Sequence, residues 1–253
     1  MTDSTIVLIT GGNTGIGYES IKALYTSPQP HTILMGSRSL EKAKGSIASL
    51  KGEISESMSD IVPIQIDIED DVSIEKAFKE VESKYGRIDT LVNNVVHLTA
   101  SCATILAPRA SVQLGTRLTL SIQPLPKLLF VTSGLSSLEN CSGGFDSKLL
   151  TAPPPKGWPK PPSMAQTAYR SSKTAMNMMM LHWAKTLGVD GVKVFGISPG
   201  FLATGLGGTG PEMMKKWGAG DASIGGIFIK DVIEGKRDED SGKVINKDGV
   251  QAW

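Results

Sequence analysis

Tyr169 and Lys173 stand four residues apart in Tyr169-Arg170-Ser171-Ser172-Lys173, so on a helix they share one face. A phenol keeps its proton up to a pH of about 10, too tightly for efficient donation at neutrality. A neighbouring ammonium favours the phenolate and brings that value down. Such a pair can protonate a carbonyl oxygen or, in reverse, take a proton from an alcohol. The same spacing also suits a packed ring beside an exposed cation, so the pair means chemistry only in company. Ser133 supplies some of that company. It follows Phe130-Val131-Thr132 at the end of an apolar run, where a hydroxyl can orient a substrate oxygen or simply cap a turn.

A third stretch handles anions. Ile6-Val7-Leu8-Ile9-Thr10 leads into Gly11-Gly12-Asn13-Thr14-Gly15-Ile16-Gly17, and helical spacing resumes from Tyr18. A buried strand, a Gly-rich turn and a helix start make a phosphate cradle. Backbone N–H groups and the helix dipole face the anion, and glycine removes the Cβ that would block it. The spacing Gly11-x-x-x-Gly15-x-Gly17 departs from GxGxxG but works by the same mechanics, and a Gly-rich surface turn is the plain alternative.

These residues need a scaffold, and the chain alternates strand-like and helix-like segments along its length. Strands are expected at Ile6–Thr10, Ile33–Met35, Ile61–Ile66, Ile88–Val92, Lys127–Val131, Val192–Ile197 and Lys243–Ile245. Pro63 puts the third at an early or edge position. Helices are expected after Thr14, at Ser39–Leu50 behind a Ser cap, at Asp70–Tyr85 stopped by Gly86, and at Ala165–Leu187 stopped by Gly188. Strands joined by helical crossovers imply an α/β fold: a Rossmann-type, doubly wound parallel sheet of about seven strands with helices on both faces, in a single domain. In such a sheet a ligand lies across the carboxyl ends of the strands where their order reverses. The loops after strands one, four, five and six then meet at one crevice, and they hold the unusual residues.

Two stretches resist this pattern. Residues 95–126 should carry a crossover helix, yet Thr116–Ile122 alternates like a strand, and Pro108, Pro124 and Pro126 interrupt it. The second, a Pro-rich insert at 134–163, has six prolines between Pro153 and Pro162 that forbid helix and central strand alike. It reads either as an ordered loop near the crevice or as an insertion without a role. Composition narrows the function classes. A formal net charge of +1 over 253 residues gives no electrostatic argument for nucleic acid or an anionic surface. No apolar run approaches the ~18 residues that span a bilayer. The chain enters a buried strand at once, and Cys102 and Cys141 lack metal-ligand spacing, so a cytoplasmic, reduced protein with no metal is expected.

Taken together, these motifs resemble the short-chain dehydrogenase/reductase family over nearly the full chain. Thr10–Gly17 is similar to its TGxxxGIG cofactor motif, which implies cofactor contacts at Gly11, Asn13, Thr14, Gly15, Ile16 and Gly17. Asp67-Ile68 resembles the pair that meets the adenine, Asn93-Asn94 the start of NNAG, and Pro199-Gly200 with Thr204 the motif at the nicotinamide end. Ser133, Tyr169 and Lys173 match the family's catalytic Ser, Tyr and Lys. The resemblance implies that Tyr169 protonates the carbonyl, Ser133 holds its oxygen, and Lys173 binds the nicotinamide ribose and lowers the Tyr169 pKa.

The place that NAD-using sheets give to an acid at the end of strand two is here Gly36-Ser37-Arg38. An uncharged Ser37 and a forked Arg38 suit a 2′-phosphate and favour NADPH/NADP over NADH. The implied partner is a small carbonyl or alcohol compound, closed over by a mostly apolar, Gly-rich lid within 200–225. The long interval from Ser133 to Tyr169 resembles the family's monomeric carbonyl reductases and favours a monomer. His182, among Met178, Met179, Met180 and Trp183, reads as helix packing rather than a triad member.

The chain also departs from the family. Val95-Val96 stands where NNAG has Ala-Gly, and no Asn occurs between Asn94 and Asn140, where the family carries a catalytic Asn. Either this region has diverged or the sequence lacks part of that helix. The alternative function is accordingly a dinucleotide-binding regulatory or non-redox protein that has lost turnover.

Overall fold

The computed structural model describes residues 4–94, 126–143, 155–159 and 167–253. The chain begins β1 (Thr5–Thr10), α1 (Gly15–Tyr25), β2 (His31–Ser37), α2 (Leu40–Glu53), β3 (Asp60–Gln65), α3 (Asp71–Tyr85) and β4 (Thr90–Asn93). It continues with β5 (Lys127–Val131), the single turn α4 (Leu138–Cys141), the long α5 (Thr167–Leu187) and β6 (Lys193–Ile197). Last come α6 (Pro211–Lys216), α7 (Ala222–Ile233), β7 (Val244–Asn246) and β8 (Gly249–Val250).

One sheet runs in the order β3-β2-β1-β4-β5-β6-β7-β8. All pairs are parallel except β7 with β8. The doubly wound expectation holds, with eight strands rather than seven. The eighth is a two-residue hairpin arm too short to show periodicity; its turn is set by Asn246 Oδ1, which accepts the Asp248 N–H at 2.9 Å. Strand order reverses between β1 and β4, which puts the crevice there. Pro63 sits in β3, an edge strand beside β2, where its missing N–H costs no ladder bond on the open side.

Burial on both faces explains the unbroken apolar runs. Leu8, Leu34, Ile64, Leu91, Leu128 and Phe130 pack toward α3 and α5, while Val7, Ile9, Ile33, Met35, Val92 and Leu129 pack toward α1, α2 and α7. Capping follows the sequence: Ser39 Oγ accepts the Lys42 N–H, Asp70 caps α3, and Gly86 ends it with φ of 70°. At the end of α5 the expectation needs correcting. Gly188 continues into a 3-10 turn, and Gly191, at φ of 80°, makes the left-handed stop. His182 is exposed, not packed in the core, and meets Trp183 edge-on.

Helix α7 was not expected. Asp221 caps it by accepting the Ser223 N–H at 2.9 Å, but Gly225-Gly226 hides its periodicity. Those glycines let it lie against α1. A Cβ at Gly226 would stand 2.5 Å from the Glu19 carbonyl oxygen, which is backbone and cannot swing aside. Gly226→Ala is therefore expected to destabilise the protein by about 1–3 kcal/mol, read as a lowered midpoint in urea unfolding.

The atypical segment 95–126 lies outside the described residues except for Pro126, and so does most of the Pro-rich insert. Among the described residues no helix is long and apolar enough to cross a membrane.

Candidate active site

The first loop is shaped by contacts to its neighbours. Gly11 and Gly15 hold φ of 63° and 57°, conformations that a Cβ disfavours. The Gly12 N–H donates to the Gly36 carbonyl at 2.9 Å. A Cβ at Gly17 would stand 2.5 Å from Gly11 O and 2.6 Å from Asn94 Nδ2, so Gly17 is what lets α1 start this close to β1. Asn94 closes the loop from the other side: its Nδ2 donates to Thr10 O at 3.1 Å and Gly11 O at 3.3 Å, and its backbone N–H to Thr10 Oγ1. Sequence reasoning quoted Asn94 only inside a motif; its work is to tie the ends of β1 and β4 together.

The cradle faces outward. Thr14 makes no side-chain cap on α1, and the first turn carries no acid, which leaves donors and the positive dipole end free for an anion. A Cβ built on Gly15 would face Thr204 Cβ at 3.8 Å, so Gly15 and Thr204 form the two lips of one cleft. Ile16 lies against the far end of the same cleft: the place a Gly225 Cβ would fill is 3.2 Å from Pro199 and 3.6 Å from Ile16. Gly200 turns at φ of 99°, and Thr204 Oγ1 accepts the Leu206 N–H. Asn13 holds α2 through its carbonyl, which accepts from Ser46 Oγ at 3.1 Å.

Along the carboxyl edge, Ser37 is buried and its Oγ accepts the Ser39 N–H. Arg38 is exposed and makes no ion pair among the described residues. Its carbonyl accepts from Gln65 Nε2. Asp67 belongs first to its own turn: its Oδ1 accepts the Glu69 N–H at 3.1 Å, and its N–H donates to Ser73 Oγ. Ile68 packs against the core under α3. Asn93, at the end of β4, is buried, and both its amide atoms are without a hydrogen-bond partner among the described residues. A buried, unsatisfied amide costs about 1–3 kcal/mol, so this residue is poised for an additional partner. The open cradle, the Gly15–Thr204 lips and the orphaned Asn93 amide fit a dinucleotide lying across the switch point.

Tyr169, Ser133 and Lys173 converge beyond it. The Ser133 side chain lies near enough to the Tyr169 hydroxyl to act on its pKa. Lys173 Nζ lies 5.9 Å from the Tyr169 ring centre and donates to Val131 O at 2.6 Å. Burial raises the Tyr169 pKa, and the Ser133 side chain opposes that rise. Burial also lowers Lys173 to about 7. A desolvated lysine turned toward Val131 O is only partly charged at neutrality, which weakens its pull on the phenol.

Beside these three residues runs a polar network that no sequence spacing singled out. Thr132 Oγ1 and Asn177 Oδ1 are 2.7 Å apart, Asn177 Nδ2 donates to Ser136 Oγ at 2.8 Å, and Ser136 Oγ donates to Ser133 O at 2.6 Å. Asn177 falls one turn after Lys173 on the same face of α5, a spacing that could have flagged it.

Comparisons with known proteins agree with this fold. A family profile described as short chain dehydrogenase matches residues 5–112 and 159–215. The short-chain dehydrogenase/reductase tropE of Talaromyces stipitatus is 40% identical over 261 residues, covering 98% of this chain and 97% of that protein. The short-chain dehydrogenase/reductase eupG of a Phoma species is 41% identical over 273 residues, with 98% and 97% covered. Among solved structures, an NADPH-bound carbonyl reductase from chicken fatty liver superposes with a TM-score of 0.73 at 19% identity, covering 99% of each chain. That likeness speaks for the fold, and the two sequence relatives for descent. The chain belongs to the short-chain dehydrogenase/reductase family of oxidoreductases.

Proposed function

We propose that this protein is an NADPH-dependent reductase of an aldehyde or ketone, run in reverse as an NADP-dependent alcohol oxidation. The observation that supports the reading is the meeting of the Tyr169 and Ser133 side chains beside the buried Lys173. When bound, the nicotinamide would supply the hydride that the carbonyl carbon receives. Ser133 would hold and polarise the carbonyl oxygen, and Tyr169 would give that oxygen its proton to complete the alcohol. Lys173 would hold ribose hydroxyls or return a proton to Tyr169, and its pKa of about 7 would let it exchange protons near neutrality.

Gly11, Asn13, Thr14, Gly15, Ile16 and Gly17 would hold the pyrophosphate end, with Asn93, Asp67 and Ile68 on the adenosine side and Pro199, Gly200 and Thr204 at the nicotinamide. Ser37 and Arg38 support NADPH: no acid stands at the end of β2, and the Arg38 guanidinium is exposed and makes no ion pair among the described residues. Titration followed by nucleotide fluorescence is expected to give NADPH at least about tenfold tighter than NADH. Arg38→Asp should invert that order, because a carboxylate repels the 2′-phosphate and accepts from a free ribose. Equal affinities in the wild type would count against the assignment.

Segment 200–225 is proposed as the lid. Its base is pinned by the Ala203 N–H to Gly220 O at 2.8 Å and by the Gly220 N–H to Phe201 O at 2.9 Å. Between these anchors it exposes Leu206, Met213 and Trp217, which suits a mostly apolar substrate. A panel of aldehydes and ketones with NADPH, controlled by Tyr169→Phe, tests the reaction. The lack of any Asn between Asn94 and Asn140 favours a second reading, a dinucleotide-binding protein without turnover. Tight NADPH binding with no reduction across the panel would select it.

A further inference from the structure

We propose that Ser136 and Gln251 are positioning residues that fix Ser133 against Tyr169, clamping the serine loop between α5 and the segment after β8. The inference rests on the reductase reading for its kinetic consequence and on geometry for the clamp itself.

Ser133 lies on a tight turn whose own bonds are local: its Oγ accepts the Leu135 N–H, and its carbonyl accepts the Ser136 N–H at 3.0 Å. Local bonds of this kind leave a turn free to rock as a unit. Two further supports hold it from opposite sides. From α5, Asn177 Nδ2 donates to Ser136 Oγ, and Thr174 Oγ1 donates to Ser136 O at 2.9 Å. From the segment after β8, Gln251 Nε2 reaches Ser136 Oγ at 3.3 Å and Ser133 O at 3.4 Å. Gln251 is itself fixed, since its N–H donates to Val244 O at 2.8 Å in β7. Ser137 Oγ adds a bond to Trp253 O at 3.0 Å.

Thr132, Ser136, Asn177 and Gln251 are all buried, so water does not replace a lost bond easily, and the Ser136 hydroxyl is where the two supports meet. Tyr169, Lys173 and Asn177 follow one another at i, i+4 and i+8 on α5. The face that presents the phenol is therefore the face that holds the serine turn, and rotation of one relative to the other is resisted. Two side chains from different elements need that rigidity to stay together.

The test uses Gln251→Met, which keeps length and loses the donor, and Ser136→Ala, which removes the shared hydroxyl. Each is expected to lower kcat for carbonyl reduction about tenfold, with the KM for NADPH within about twofold. In a Ser133→Ala background neither should lower kcat further, because each acts through Ser133. Amide exchange of residues 134–137, followed by mass spectrometry, should quicken in both variants.

An unchanged kcat with unchanged exchange overturns the proposal, as does a full additional loss on top of Ser133→Ala. A wild type that turns over nothing, with exchange still quickened by Gln251→Met, leaves the clamp standing and sinks the reductase reading instead.

Discussion

Tyr169→Phe is expected to lower kcat for carbonyl reduction by about 10²–10⁴-fold, the usual contribution of a positioned general acid, while NADPH affinity stays within about twofold. Phenylalanine keeps the ring, and with it the packing beside Lys173, but removes the hydroxyl that lies near Ser133 and can carry a proton. The pH dependence has a definite sign. Reduction needs the phenol protonated, and burial raises its pKa, so reduction holds through neutral pH and falls only as pH rises through that raised value. Oxidation of an alcohol needs the phenolate, so its rate climbs over the same alkaline range. Steady-state kinetics in both directions, with a separate NADPH titration, check this. A variant retaining more than about a third of wild-type kcat would remove Tyr169 from the chemistry.

Lys173→Met should abolish turnover and at the same time change how stability depends on pH. The lysine is buried, and desolvation takes its pKa from 10.5 to about 7 in the folded chain. Between those values the unfolded chain binds a proton that the folded chain does not, so stability rises with pH across that window. From pH 7 to pH 9 this one group contributes a gain of about 2 kcal/mol. Below pH 7 both states are protonated, and the folded chain carries the whole cost of a desolvated ammonium. Methionine fills similar volume without charge. The variant should therefore lack the wild-type rise between pH 7 and 9 and be the more stable of the two at pH 6. Urea unfolding at these three pH values reads both effects; parallel pH profiles for the two proteins would show that Lys173 is solvated as an ordinary lysine.

The two experiments complement each other. One removes a proton donor and leaves the fold alone; the other removes a charge that the fold tolerates at a cost. Stability given up at Lys173 is what a functional site is expected to show. A lysine retained in the core only for packing would be bettered by methionine without loss.

Much of the architecture was legible in the residues themselves, because it depends on local patterns. Apolar runs such as Ile6–Ile9 and Leu128–Val131 are buried on both sheet faces, and a parallel sheet covered on both sides requires just such runs. Ser39, Asp70 and Gly86 marked helix ends through short-range hydrogen bonds and backbone sterics. The Tyr169–Lys173 spacing and the Gly-rich turn carried their chemistry as local facts.

Tertiary structure decided what depends on residues far apart in sequence. Helix α7 gave no clear periodic signal, since Gly225 and Gly226 serve contacts to Leu202 and Glu19 rather than helix propensity. The role of Asn94 became visible only once β1 and β4 lay side by side. The raised pKa of the phenol and the lowered pKa of Lys173 both come from burial, which no spacing reveals.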